Sequence, residues 1–419
     1  MPRFAHMADV HIGAFRQEKL KEALMQAFDH AIDKCVEAKV DFVVMAGDIF
    51  DSNIPDLASV KRAATKIREA KESGIRFYVV YGSHDYSPNH ASVVDVLESA
   101  DLFTKVDRGS TKDGRLELEF VTDETGAKIC GISGKKLSLD RSEYESLDRQ
   151  KLESERGFKI FVFHGAIEEL RPESLSAMEA MPASLLPSNF CYYAGGHVHN
   201  RSSVSLPERP NIAYPGALFA TDFRDLEPLA QGEQHGFYIV EFGDQVENIR
   251  FVSLDVCDVA WLEYSVDGRS ARLARRELMD LARTSDIKDK IVLLKVRGEL
   301  SEGQTADIGI LSIRRELASR GPVCVLPNLT QLTSKELAAT LSGVLRSPDQ
   351  TERDCFVHGI SSVRVQDPRL SGENGVRLSL ELLRSLKEER KENETKMDYQ
   401  ERVERVGLNV LGLEGESKR

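Results

Sequence analysis

Five short motifs gather side chains of the kind that bind divalent cations. They are Asp9-Val10-His11, Gly47-Asp48-Ile49-Phe50-Asp51, Gly82-Ser83-His84-Asp85, His164-Gly165 and Gly195-Gly196-His197-Val198-His199. Five of the ten histidines in the 419-residue chain lie in them. The convergent groups are Asp9, His11, Asp48, His84, His164, His197 and His199. Carboxylates together with imidazoles suit manganese, iron or zinc. The set is larger than one ion needs. An aspartate between two ions can bridge them, and ions roughly 3.5–4 Å apart can clamp both oxygens of an in-line displacement at phosphorus. Singly, D-x-H, G-D-x-x-D or a lone histidine is commonplace. H-x-H is stronger, because alternate residues of an extended segment face the same way. All five motifs in this order point to one two-ion site.

Each motif closes or follows a run that reads as a β-strand. The predicted strands are Arg3–Ala8, Asp41–Ala46, Arg76–Tyr81, Lys159–His164 and Cys191–Gly195, with a sixth at Gly236–Phe242. Open α/β sheets hold their ligands at the carboxyl ends of their strands. Leu20, Leu24, Ala27, Phe28, Ala31 and Cys35 share one helix face, and Leu57–Ser73 reads as a second helix closed by Gly74. Strand–helix–strand order implies parallel pairing and layered α/β architecture. The polar segment Arg141–Arg156 reads as an exposed helix. Glycines ahead of Asp48, His84 and His197 let the backbone approach the ions closely.

Composition narrows the function. Hydrophobic residues are 41% and charged residues 30%, enough for a sizeable core. The net charge of −12 argues against a freestanding, charge-driven binder of nucleic acid or membrane. No run approaches the roughly 18 apolar residues of a membrane span. Six scattered cysteines, with no C-x-x-C, suggest buried structural thiols in a reducing cytosol. We expect a cytoplasmic location.

Beyond the motifs, Trp261–Val266, Ala271–Arg283, Lys290–Arg297, Ile308–Ser319 and Pro322–Leu326 alternate as strand, helix, strand, helix, strand, with Trp261 packing this unit. The expected organisation is residues 1–255 with the motifs, 256–365 as a smaller α/β unit and its extension, 366–375 as a linker, and 376–419 as a helical tail. In the tail, Leu378, Leu382 and Leu386 form one apolar stripe, and Tyr399, Val403, Val406, Val410 and Leu413 another. The stripes fit either a helical hairpin folded on itself or an element that binds a partner. Gly407 and Gly412 weaken the second helix.

The motifs resemble the calcineurin-like metallophosphoesterase superfamily. Within it, the chain is similar to the SbcD-type DNA double-strand-break repair nucleases, prokaryotic relatives of the eukaryotic meiotic-recombination nuclease. The likeness runs through Tyr214-Pro215-Gly216. It implies a layered fold of sheets sandwiched by helices, a small α/β capping domain, and a C-terminal helical segment that binds a coiled-coil ABC-type ATPase, SbcC-like. It also implies a manganese-dependent exo- and endonuclease acting on DNA ends and hairpins. One ion would be held by Asp9, His11, Asp48 and His199, the second by Asp48, His164, His197 and the residue at 83. His84 would assist the leaving oxygen, and Asp85 would orient His84. Asp51 would lie near the substrate, though some relatives carry His there. The family has Asn where this chain has Ser83, a shorter and poorer donor, so filling of the second ion is the open point. Relatives dimerise through helices near the third motif. Val93, Val94, Val96 and Leu97 would serve a homodimer, and a core-facing helix accounts for them equally.

Two alternatives share these motifs. One is a stand-alone phosphomonoesterase or cyclic-nucleotide phosphodiesterase, against which the extra unit and striped tail argue. The other is a scaffold with a weakened metal site, of which Ser83 would be the first sign. The full set of Asp and His residues argues against it.

Overall fold

The computed structural model describes residues 1–15, 17–87, 92–135, 141–172, 175, 178–335, 348–361, 367–388 and 396–411. The chain divides into two units, Met1–Glu299 with Thr305–Leu332, and Leu300–Gln304 with Thr333–Arg419.

The first unit contains two six-stranded mixed sheets packed face to face. In one, the order is Val246–Ser253, Gly236–Phe242, Arg3–Met7, Phe42–Ala46, Arg76–Val80 and Thr104–Lys105. Arg3–Met7 pairs in parallel with Phe42–Ala46 (Phe4 opposite Phe42) and antiparallel with Gly236–Phe242 (Phe4 opposite Val240). In the other, the order is Ser202–Leu206, Arg209–Tyr214, Tyr192–Gly196, Lys159–His164, Lys128–Ile132 and Val121–Thr122. Its four central strands are parallel.

The facing surfaces are filled by aromatic and β-branched side chains. Phe4 stacks on Phe42 with centroids 5.3 Å apart and meets Tyr192 edge-on at 5.2 Å. Phe158 stacks on Phe242 at 4.1 Å. Val44, Ile129, Ile160, Val162 and Val240 complete the interior. Strands with both faces buried lose the alternating pattern, so these read as continuous apolar runs. His6 lies in this interior with no exposed surface, its Nδ1 3.0 Å from the Tyr192 hydroxyl. Burial pushes its imidazole down to about 3.

Helices Glu18–Glu37 and Leu57–Glu72 cover the outer face of the first sheet with Leu20, Leu24, Phe28, Ile32, Ala63 and Ile67. The segment expected as one exposed helix at 141–156 forms two short ones, Arg141–Ser146 and Arg149–Ser154. Asp148 breaks the run by accepting the Gln150 N–H as an N-cap, while Tyr144 and Leu152 turn into the core. Of the residues offered for a dimer contact, Val94 and Leu97 are buried, and Val96 stands exposed.

A smaller three-stranded parallel arrangement follows in this unit: Val259–Ser265, Ile291–Leu300 and Cys324–Asn328. Helices Ala271–Thr284 and Ile310–Ser319 make its crossovers. Ile291 and Leu293 share the cluster of helix Glu18–Glu37, and Trp261 packs at its margin.

The second unit contains helices Pro348–Ser361, Gly372–Leu386 and Lys396–Leu411. The expected linker is partly helical, because Asp367 caps a short 3-10 turn at Pro368–Leu370 and the chain re-enters a helix at Gly372. The last two helices pack against each other, with Gly407 facing Leu382. Tyr399, Val403, Val406 and Val410 are half-buried, and Leu386 is exposed. Leu413 and Gly412 lie outside the described residues. The cysteines are not uniformly buried: Cys35, Cys130 and Cys191 are, Cys257 and Cys324 are half-buried, and Cys355 is exposed. Among the described residues, no helix is long and apolar enough to cross a membrane.

Candidate metal centre

All five motifs converge at the carboxyl ends of the parallel strands of both sheets. The loops that carry them are laced together through the main chain. Asp9 N–H donates to Gly47 O (3.1 Å), His11 N–H to Asp48 O (2.9 Å), and Gly165 N–H to Gly196 O (3.2 Å). The His197 N–H donates to both Asp9 oxygens at 2.9 and 3.0 Å, tying the first motif to the last.

Close approach depends on glycine at two places. A Cβ at Gly196 would fall on the Ala46 carbonyl oxygen, and one at Gly47, whose φ is +83°, would strike the His164 ring. Four of the site residues themselves hold left-handed backbone: Asp9 (φ 51°), His11 (49°), Asp48 (48°) and His197 (91°). Such conformations cost about 1–3 kcal/mol each and persist only where the surroundings enforce them.

Two triads result. Asp9, His11 and His199 offer ligand atoms within 4.8 Å of one another, and so do Asp48, His164 and His197. Asp48 joins them, its Oδ2 lying 3.6 Å from His11 Nε2 and 3.3 Å from His164 Nε2. His11, Asp48 and His84 form a third such group.

The buried groups favour cations. Both ring nitrogens of His11 and Nε2 of His164 are buried without a hydrogen-bond partner. His164 Nδ1–H donates to the Ala46 carbonyl (2.9 Å), which leaves the Nε2 lone pair facing the Asp48 carboxylate. A lone pair against an anion in a dry site calls for a proton or a metal ion between them. Without a metal ion, the proton takes that place. Burial opposes a charged His164, yet Asp48 and Asp9 outweigh it and carry the imidazole up to about 10. Burial also opposes ionisation of Asp48, but His164, His11 and His84 hold its carboxyl well below the usual range. His197 moves the other way, down to about 4, through burial and repulsion by His164. The donor set therefore fits two divalent ions, with Asp48 facing both.

His84 stands apart at 46% side-chain exposure, edge-on to His11 with ring centroids 4.7 Å apart. Its Nδ1 lies 2.8 Å from the Asp51 carbonyl oxygen, and the Asp51 carboxylate is 3.3 Å from His11 Nδ1. Asp51 therefore does for His84 what the sequence assigned to Asp85. Asp85 is fully buried and accepts the N–H groups of Ile49, Phe50 and Gly82 at 2.9–3.0 Å. With both oxygens taken, it pins the second motif to the third rather than orienting His84. Burial and the neighbouring Asp48 push its carboxyl up to about 6. Ser83 sits half-buried in the turn between them.

One residue escaped the sequence reading. His199 Nδ1 is 3.0 Å from both oxygens of Asp225. Burial works against a charged His199, but the Asp225 hydrogen bond outweighs it and raises the imidazole to about 9. Asp225 follows His199 by 26 residues, and no motif spacing marks it.

Residues 2–201 match the family described as calcineurin-like phosphoesterase. The DNA double-strand break repair protein Mre11 of Methanococcus maripaludis is 27% identical over 274 residues, covering 63% of this chain and 69% of its own. Mre11 of Archaeoglobus fulgidus is 26% identical over 310 residues, 70% of this chain and 68% of its own. An uncharacterized metallophosphoesterase of Bacillus subtilis, YhaO, is 25% identical over 289 residues, 64% of each chain. Motifs, strand-end geometry and family match coincide in the same stretch, so through residues 2–201 the chain belongs to the calcineurin-like phosphoesterases.

Proposed function

We propose that the protein is a DNA nuclease that uses two manganese ions and works with a coiled-coil ABC-type ATPase in double-strand-break repair. One observation carries the reading: two Asp/His triads meet at Asp48, with buried imidazole nitrogens that no protein group satisfies. The repair proteins among the relatives support DNA as the substrate. Asp9, His11, Asp48 and His199 would hold one ion, and Asp48, Ser83, His164 and His197 the other. When bound, the ions neutralise charge that develops on the phosphoryl oxygens.

The chain's own residues do the rest. The Asp51 carbonyl fixes Nδ1 of His84 as the protonated nitrogen, so the exchangeable proton sits on Nε2, on the exposed side. From there His84 gives it to the departing oxygen of the sugar. Asp85 keeps Asp48 and His84 in one rigid loop pair. DNA is gripped through its phosphates without sequence readout. With a net charge of −12, the chain leaves much of the DNA affinity to the ATPase, which the helices beyond residue 371 would bind. Homodimer formation through Val96 and its surroundings fits the same reading.

The test is cleavage of linear and hairpin DNA with manganese, with and without the ATPase, beside a phosphomonoester such as p-nitrophenyl phosphate. Manganese-dependent DNA cleavage that the ATPase stimulates is the expected result. Monoester hydrolysis with intact DNA would overturn it.

A further inference from the structure

Asp225 is positioned with more care than a surface acid needs. Its Oδ2 accepts the Thr221 N–H (2.9 Å) and hydroxyl (2.7 Å). It lies in the first turn of helix Phe223–Ala230, whose N-cap Asp222 accepts the Arg224 N–H at 2.7 Å. The Asp225 carbonyl oxygen is 3.3 Å from His235 Nε2, and His235 Nδ1 is 2.9 Å from the Ala217 carbonyl. Ala217 N–H in turn donates to His199 O (3.1 Å). A closed ring therefore runs from the His199 main chain through Ala217, His235 and Asp225 back to the His199 imidazole.

We propose that Asp225 is a positioning residue of the metal centre: its carboxylate holds the proton of His199 on Nδ1 and thereby aims the Nε2 lone pair at Asp9 and His11. The inference rests on the two-ion reading of the site. A carboxylate behind a metal-binding imidazole fixes both its tautomer and its ring orientation. The other ligand histidine with a defined Nδ1 partner, His164, uses a main-chain carbonyl for the same purpose. His199 is more exposed, at 27% for the side chain, so its ring has more freedom to lose.

Asn at this position keeps the shape but reverses the sense. Its carbonyl oxygen would take the two Thr221 donors, and its NH2 would face His199 Nδ1. The imidazole would then carry its proton on Nε2 and have no lone pair for an ion.

The experiment compares wild type, Asp225→Asn and Thr221→Val by two measurements on the full chain. The first is the imidazole nitrogen NMR spectrum of the metal-free protein. His199 is expected as the Nδ1–H tautomer or doubly protonated in wild type, and as the Nε2–H tautomer in Asp225→Asn. The second is manganese titration by calorimetry. Asp225→Asn should weaken one of two bound ions about 10–100-fold and leave the other unchanged. Thr221→Val should do so only a few-fold. In a His199→Ala background, Asp225→Asn should change manganese affinity no further. An unchanged tautomer and unchanged affinity in Asp225→Asn would overturn the proposal. So would an equal loss in the His199→Ala background, which would mean that Asp225 acts through the fold. A wild type that binds no manganese but shows the tautomer change would sink the two-ion reading and keep the role of Asp225 as an orienter of His199. If Asp225→Asn does not fold, Thr221→Val decides on the same readouts.

Discussion

Within the two sheets, the same strands supply both the interior of the sandwich and the rim where the metal-binding side chains meet. Two or three residues separate the two environments. Phe42, Val44 and Ala46 are buried among aromatic and aliphatic partners, and Asp48 is buried among histidines. Ile160 and Val162 pack between the sheets, and His164 closes the same strand beside Asp48 and Asp9. The interior satisfies itself. Its rings stack at 4–6 Å and need nothing from outside. The rim is left with partnerless imidazole nitrogens, gathered carboxylates and left-handed backbone. The contrast teaches that burial means opposite things a few residues apart. It stabilises the strand centres, and at the strand ends it holds polar groups in readiness for a ligand that the chain does not supply.

The largest expected effect belongs to the rim and to chemistry alone. His84→Ala should lower phosphodiester cleavage about 10²–10⁴-fold, as loss of a general acid does. Manganese content and melting temperature should stay near wild type, since His84 is exposed. Loss of an ion on metal analysis would make His84 a ligand and blur the line between holding and reacting. Phe42→Ala probes the interior and should cost about 3–5 kcal/mol of stability by denaturant titration. The manganese-induced rise in stability should be the same in this variant as in wild type. If that increment shrinks, interior and rim are one cooperative structure. Manganese itself comes next: at 100 times its dissociation constant it should stabilise the protein by about 2.7 kcal/mol per site, read as a shift in melting temperature that a chelator reverses. No shift would mean that the rim is complete without ions.

His6 tests an exception, a titratable group placed inside the interior. Its native pKa of about 3 lies below the unfolded value of 6.5. The stability from keeping it neutral is therefore fully present above pH 6.5 and is lost as pH falls toward 3. His6→Gln, which does not titrate, should remove up to about 1.4 kcal/mol per pH unit from the acid slope of stability in that window. Equal slopes would mean that the ring finds water or a partner when charged. The smallest effect is expected at Ser83. Replacing it with Asn should lower the manganese needed for half-maximal activity a few-fold, because an amide oxygen reaches further and donates better to a hard cation. Identical titrations would mean that serine already serves.

The rim was largely legible in the sequence, because metal ligands must be Asp or His and cannot be disguised. Asp9, His11, Asp48, His84, His164, His197 and His199 all arrive at one place. The parallel core strands were legible too, as continuous apolar runs. Lys128–Ile132 was not read as a strand, since its five residues include a lysine and a glycine and give no clear period. The antiparallel strands Ser202–Leu206 and Val246–Ser253 are edge strands with polar faces and look like loops. Asp85 and Asp51 exchanged expected roles because adjacency in sequence was taken for contact. A turn points neighbouring side chains apart, so the Asp85 carboxylate faces inward to main-chain N–H groups while the Asp51 carbonyl meets His84. Asp225 had no signal, because a residue that orients a ligand needs only proximity in space.

The hydrogen bonds from His197 N–H to Asp9 tie together residues 188 positions apart. A chain made from its amino end at about 5–20 residues per second exposes Asp9 roughly 10–40 s before His197 exists to meet it. Throughout that interval on the ribosome, the first strand also lacks its antiparallel neighbour Gly236–Phe242, and neither triad can close. A centre built to break phosphate esters is thus assembled late, after most of the domain has been synthesised. The messenger RNA being translated, the phosphodiester nearest to every newborn copy, meets only separate pieces of it.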